Sequence, residues 1–251
     1  MLFDVEAYLL KLKHYDLMLC DLDYRAVNPE DIKAFKIHSA NMIDDETRDN
    51  LDTYLYSRGE TCVSHFLQDK HYIPRLLLSA LVFLIVYFFL SLVVRDPIPM
   101  VDELIAALLL SVLSFLALSK RDIRIARESK LLYDIKKEIN NAEIIQENYL
   151  EEIEAYYYDL SSRYSILEMS DILSKTDEYT ALEDLNITLP PAFISIMKSY
   201  IHKTNKNLSF YLKLIKECKK RDEKLSARLL RAATNDSLDL YLLAILYKLK
   251  F

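Results

Sequence analysis

The sequence contains one glycine, Gly59, and no tryptophan in 251 residues. A typical soluble domain carries roughly 7% glycine. Strand-rich folds use Gly, Asn and Asp turns at short intervals. Phosphate-cradling loops need clustered glycines so that backbone N–H groups can approach the ligand. A P-loop, a Rossmann fingerprint and a nucleophile elbow are therefore excluded in their usual forms, and long helices with few tight turns are expected. Cysteine is also scarce. Cys20, Cys62 and Cys218 lie far apart and form no CxxC pair, which fits reduced thiols better than a disulfide framework. The histidines His14, His38, His65, His71 and His202 show no HxxxH or HExxH spacing. Cys62 and His65 stand three apart, and Cys20 lies near Asp21 and Asp23, but two ligands do not make a metal site. No Ser–His–Asp or paired-carboxylate pattern can be assigned, so neither an enzyme, a metal nor a cofactor is expected. The opening MLFDVEAYLL carries two acids and no base, the reverse of a secretory leader.

What the sequence has in quantity is apolar length. LLLSALVFLIVYFFLSLVV, Leu76–Val94, contains no charge, proline or glycine. Its 19 residues rise about 28 Å as a helix, close to the hydrocarbon thickness of a bilayer. LIAALLLSVLSFLALS, Leu104–Ser119, follows after RDPIPMVDE and reaches a similar length if begun at Val101. Two such runs in succession predict a transmembrane hairpin, with spans at about 76–94 and 101–119 and an outer loop at 95–103. Pro97 and Pro99 stop the first helix. Lys70 and Arg75 precede the hairpin, Lys120, Arg121, Arg124, Arg127 and Lys130 follow it, and the loop holds only Arg95. The positive-inside rule then places both termini in the cytoplasm, at the plasma or inner membrane. On that side the sequon Asn186-Ile187-Thr188 goes unglycosylated. Lys120, Arg121, Arg124, Arg127 and Lys130 are expected to contact anionic lipid, at about 1 kcal/mol each near the surface.

Within the spans, Tyr87 and Ser91 share one helix face, and Ala107, Ser111 and Ser114 share another. Counted from the two span ends beside the loop, Tyr87 and Ser111 lie at similar depth. These faces are expected to meet, because a phenol in hydrocarbon needs a partner and small residues permit close approach.

The flanks read as helical. In the first, Val5, Tyr8, Leu9, Leu12 and Leu19 recur at helical spacing. Asn28-Pro29-Glu30-Asp31 marks a helix start. A helix from about Asp45 to Arg58 is expected to stop at Gly59 as its C′ residue. After the hairpin, Ile125, Leu132, Ile135, Ile139, Ala142, Tyr149, Ile153, Tyr156 and Leu160 repeat in a heptad-like row, with Gln146 as the polar member. One long, coiled-coil-like helix is expected there, a route to self-association through 125–160. Beyond a break near Thr176–Pro191, helices are predicted near Pro191–Lys203, Leu208–Lys219 and Glu223–Thr234, and from Asp236. The last, LDLYLLAILYKLKF, is too short to span and reads as a core helix.

Charge is unevenly spread. Residues 1–74 carry 8 Lys and Arg against 14 Asp and Glu; residues 138–184 carry 13 acids against 2 bases, and 198–231 carry 11 bases against 3 acids. Adjacent complementary blocks predict that the basic helices dock on the acidic one, with anionic lipid as the other candidate partner. Nucleic acid is not an expected partner, because the net charge is −6.

Asp96, Asp102 and Glu103 lie in or beside the outer loop. Asp102 and Glu103 suit the positive end of the second helix. Around an oligomer axis the three acids would form a cation-selecting mouth. In outline this is similar to the calcium uniporter, which also joins two spans, an acidic mouth and coiled coils. The resemblance covers the hairpin alone: the uniporter's tryptophan is missing, and the acids here are adjacent instead of two residues apart. The plan also looks like the two-span pore-forming effectors of bacterial defence systems, by topology and without a motif.

The sequence thus predicts an all-α membrane protein: an acidic cytoplasmic helical domain (1–74), a hairpin (75–119), a long cytoplasmic helix (120–175) and a C-terminal helical domain (176–251). Its expected role is a membrane-anchored scaffold presenting cytoplasmic domains to a cytosolic protein, with an oligomeric pore as the alternative.

Overall fold

A computed structural model describes residues 3–25, 27–93, 101–175, 182, 185, 187–218 and 222–251. The protein is mostly helical but contains a small mixed sheet of four strands, in the order β2-β1-β3-β4. The all-α expectation is corrected at this point. Strand β1 (Phe3–Lys11) forms an antiparallel hairpin with β2 (Asp16–Cys20), with Tyr8 opposite Leu19 and Leu10 opposite Leu17. Strand β3 (Ile32–Ser39) pairs in parallel with β4 (Glu143–Gln146), with Ile37 beside Ile144 and His38 beside Ile145. Asn28 does cap a helical turn, but only the 3-10 turn Pro29–Asp31.

Two facts explain why the strands read as helix. Ala7, Tyr8, Leu9 and Leu10 are all at most 1% exposed. A strand buried on both faces is a continuous apolar run, without the alternation that marks a half-buried strand. The β1–β2 connection is also four residues long, with Leu12 N–H donating to the Tyr15 carbonyl at 3.0 Å. A four-residue hairpin loop is most often built on a type I turn, which needs no glycine.

The chain divides into two compact units. One comprises Met1–Asp4, Leu22–Ala34 and Asp52–Asn141. It holds most of helix α1 (Asp45–Lys70), then α2 (Tyr72–Val93), α3 (Val101–Arg127) and α4 (Lys130–Asn140). Helix α1 does not stop at Gly59 but runs on to Lys70. A Cβ at Gly59 would stand 3.2 Å from Ile135 Cγ2 and 3.9 Å from Leu22 Cδ2. The glycine therefore permits close packing in mid-helix and caps nothing. Ser129 interrupts the expected long helix by accepting from Leu132 N–H and starting α4 afresh.

The other unit comprises Val5–Asp21, Phe35–Leu51 and Ala142–Phe251. Helix α5 (Asn148–Arg163) lays Leu150, Ile153, Tyr157 and Leu160 in a core shared with Tyr8, Leu10 and Leu17 of the sheet. Helix α6 (Ile166–Leu173) opens with a capping box of Ser165 and Glu168. Next come α7 (Pro191–Ser199), which runs into a π-helical turn over Tyr200–Thr204, α8 (Lys206–Glu217), α9 (Glu223–Asn235) and α10 (Leu240–Lys248). These last helices lie close to their predicted positions because capping side chains announce their starts: Asn205, Asp222 and Asp239 each accept from backbone N–H groups of the first turn. Helix α10 is a core helix, with Leu242, Leu243, Ala244, Ile245 and Leu246 at most 3% exposed.

The heptad-like row is divided between the two units. Leu132, Ile135 and Ile139 are buried in the first, and Ile153 and Leu160 in the second, with strand β4 between them. The coiled-coil-like helix over 120–175 is therefore not formed. The ion pairs described within the acidic and basic blocks, Arg163–Asp159, Lys175–Asp171 and Lys213–Glu217, each join residues four apart on or beside one helix. The contacts described between the two blocks are helix packing of α6 on α9 and uncharged hydrogen bonds: Ser170 Oγ lies 3.3 Å from Ser226 Oγ, and Asp222 N–H donates to the Ser174 carbonyl at 3.1 Å.

Candidate functional site

Helices α2 and α3 are long and apolar enough to cross a membrane. The 22 residues of α2 rise about 33 Å and the 27 of α3 about 40 Å, against roughly 30 Å of hydrocarbon. Pro74 lies in the first turn of α2, where the missing N–H breaks no helical bond. Asp102 and Glu103 lie in the first turn of α3, and Arg124 and Arg127 in its last, the arrangement the helix dipole favours.

The two helices pack through small residues. Ser111 Oγ donates to the Ser79 carbonyl at 2.8 Å, Ala107 is fully buried, and Ser79 is 5% exposed. Small side chains let backbones approach closely where dispersion and hydrogen bonds hold helices together. Ser114 bonds back to the Ser111 carbonyl in its own helix. The depth expected for Tyr87 is corrected by this pairing. Ser79 stands level with Ser111, and Tyr87 lies eight residues further along α2, about 12 Å away. A register counted from the span ends puts Tyr87 level with Ser111, whereas the observed pairing puts Ser79 there. Tyr87 stacks on Phe83, with ring centroids 6.0 Å apart, and meets Phe88 edge-on. Ser91 is half-buried on α2.

At the other end of the hairpin lies a charged cluster that hydropathy reading missed. Arg75 Nη1 stands 3.4 Å from Asp122 Oδ2, and His71 Nδ1 stands 3.5 Å from Asp122 Oδ1. Arg75 Nη2 donates to the Gln68 carbonyl at 2.7 Å, and its guanidinium lies 5.2 Å from the Phe115 ring centroid. Tyr72 meets the same ring edge-on. The Arg75 and Asp122 side chains are only 8% and 11% exposed. The signal was present in the sequence: Asp122 is a lone acid inside the basic run KRDIRIAR.

Of the residues expected to touch anionic lipid, Lys120, Arg121, Arg124 and Lys130 are exposed. Arg127 is exposed too, but its Nε donates to Glu60 Oε1 of α1 at 2.6 Å. Of the expected acidic mouth, Asp102 is exposed and Glu103 half-buried at the start of α3, while Asp96 lies outside the described residues. The pair Cys62 and His65 forms no site: Cys62 is buried, which pushes its thiol up to about 12, and the His65 ring stacks on Tyr24.

A second polar cluster lies in the sheet-containing unit. His38 Nδ1 stands 3.1 Å from Glu147 Oε1, and its ring stacks on Tyr8 at 4.7 Å. Burial and the Glu6 carboxylate, which accepts from the Tyr8 hydroxyl at 2.7 Å, push the Tyr8 phenol well above its usual range. A His–carboxylate pair has the parts of a general base, but none of the described clefts is lined by His38 or Glu147.

The described residues define a class by fold alone: a mostly helical chain with a small mixed four-stranded sheet and two long, apolar, closely packed helices. Comparison with family models, with curated proteins and with solved structures found no match for the chain.

Proposed function

We propose that the chain is an integral membrane protein. Helices α2 and α3 cross the bilayer as a hairpin, both flanks lie on the cytoplasmic face, and the protein acts as an anchored interaction module for a cytosolic partner. One observation carries this reading. Twenty large apolar side chains between Tyr72 and Leu116 are exposed, among them Phe89 at 62%, Leu92 at 78% and Leu113 at 59%. Full burial of a side chain of this size is worth roughly 1.5–3 kcal/mol. They are not confined to one stripe: Leu76, Leu77 and Leu78 are consecutive and all exposed, so they fan around the helix. A helix apolar all round needs a solvent of its own kind, whereas a docking partner covers one face.

The strand order supports a hairpin with both flanks on one side. Strands β3 and β4 are neighbours in one sheet, and the chain between them contains both apolar helices. A chain that leaves a sheet and returns to it crosses a bilayer an even number of times. The Lys and Arg residues beside the spans favour the cytoplasmic side. An anchoring hairpin passes no ions, so the pore reading, which rests on Asp96, Asp102 and Glu103, predicts conductance in planar bilayers where the anchor predicts none. The test of the anchor is fractionation: the chain is expected to stay with membranes through alkaline carbonate and to leave only with detergent. Release by carbonate alone refutes it.

A further inference from the structure

The paired helices continue past the apolar segment, and a polar cleft opens there between α1 and α3. It measures about 300 Å³ and is lined by Ser57, Glu60, Thr61, Ser64, His65 and Arg127, with Ile123 at its apolar side. Ser57, Glu60, Thr61 and Ser64 recur at spacings of three and four, so α1 presents them along one face. Stacking on Tyr24, with ring centroids 5.6 Å apart, holds the His65 imidazole in place. The cleft thus gathers one guanidinium, one imidazole, three hydroxyls and one carboxylate.

Its depth is fixed by α3. The apolar stretch ends near Ser119, and Ile123 and Arg127 follow it by four and eight residues, about 6 and 12 Å along the helix. The headgroup layer is roughly 5–8 Å thick on each side of the hydrocarbon. The Cα–Cβ bonds of α3 tilt back towards its N-terminus, and so towards the bilayer. The cleft therefore starts within the headgroup layer at Ile123 and ends just beyond it at Arg127, whose long side chain reaches back to the phosphates.

We propose that this cleft binds the headgroup of an aminophospholipid, an ammonioalkyl phosphate ester. The proposal rests on the membrane reading above. Arg127 takes the phosphate, assisted by the hydroxyls and His65, and Glu60 takes the ammonium. Arg127 and Glu60 now pair with each other, but at 66% and 39% exposure such a pair is worth little and opens readily. The ligand replaces each partner with a group of the same sign, so neither charge is stranded. Glu60 sets the preference. An anionic headgroup displaces it without offering it a cation, and a trimethylammonium has no N–H to donate to it.

The test is native mass spectrometry of the full chain, released from detergent micelles holding equal amounts of phosphatidylethanolamine, phosphatidylcholine and phosphatidylglycerol. The ethanolamine lipid is expected to be retained about tenfold over the other two, the scale of one charge-assisted hydrogen bond. Glu60→Gln should abolish the preference, and Arg127→Gln should lower retention of all three. Arg127 is exposed and Glu60 half-buried, and unchanged circular dichroism verifies that the variants fold. Equal retention of the three lipids, preference for the glycerol lipid, or a preference that survives both substitutions overturns the proposal. Free phosphoethanolamine at the same concentration is expected to be lost; if it is held as well as the lipid, the cleft serves a soluble ligand and the lipid assignment falls. A chain that dissolves without detergent refutes the membrane reading itself, whereas a detergent-dependent chain without lipid preference refutes only the headgroup site.

Discussion

At Gly59 a single hydrogen atom decides how closely two helices pack. The hydrogen leaves room for Ile135, and a methyl group would stand 3.2 Å from its Cγ2. Gly59→Ala gains helix propensity of up to about 1 kcal/mol and loses part of it to that contact. Gly59→Val has no such offset, and overpacking of this kind costs about 1–3 kcal/mol. Valine is therefore expected to lower the melting temperature in detergent clearly more than alanine does. Glu154 makes a second prediction. It is 7% exposed, and its Oε1 accepts from the Lys11 N–H at 2.7 Å. Burial raises its carboxyl above the ordinary 4.5, opposed by that hydrogen bond and by the charge of Lys11. Folding thus favours the protonated form, so its contribution to stability is complete below the unfolded pKa and is lost as pH rises through the folded one. Glu154→Gln keeps an acceptor and removes the charge. The variant should match wild type in acid and gain on it as pH rises towards neutrality; a melting curve whose pH dependence is unchanged contradicts the assignment.

Among the elements, the base of the hairpin carries the sharpest energetics. Arg75 and Asp122 are buried against each other. Removing one partner of a buried pair costs about 3–5 kcal/mol, because the other charge is stranded. Arg75→Met or Asp122→Leu is expected to destabilise by that order, and the double variant to recover much of it. Chemical denaturation of the four proteins in detergent closes the cycle, and additive losses count against coupling. The neighbouring seam was partly legible in sequence. Ala107, Ser111 and Ser114 announced a small-residue face, but the partner face was assigned to Tyr87 when Ser79 holds it. Depth in a hairpin depends on where the turn falls, which span limits read from hydropathy fix only to within a few residues.

For the whole molecule, both apolar helices are inserted between two neighbouring strands, and the hairpin proposed above puts the flanks on one side of the membrane. Met42, 83% exposed, precedes the hairpin in sequence, and Phe210, 54% exposed, follows it. Met42→Cys and Phe210→Cys, each in a Cys218→Ser background, are expected to escape an impermeant maleimide in intact cells and to react after permeabilisation. Labelling of one and not the other rules out the hairpin. The heptad-like row belongs to the same scale. Ile125 to Leu160 reads as one continuous seam, yet Ser129 and strand β4 break it: Ile153 and Leu160 belong to the core around α5, while Leu132, Ile135 and Ile139 are buried in the other unit.

The sequence by itself determined the two apolar helices, the approximate positions of α8 and α9, and the core character of α10. These follow from local quantities: transfer of side chains from water, the first-turn N–H groups of a helix, and run length. Tertiary structure alone decided that the first flank contributes three strands to a sheet, that Gly59 serves close packing, and that Arg75 meets Asp122. Each depends on which distant segment arrives. A doubly buried strand has no period, a glycine's hydrogen has no meaning until Ile135 stands over it, and two opposite charges 47 positions apart are ordinary until a hairpin brings them together.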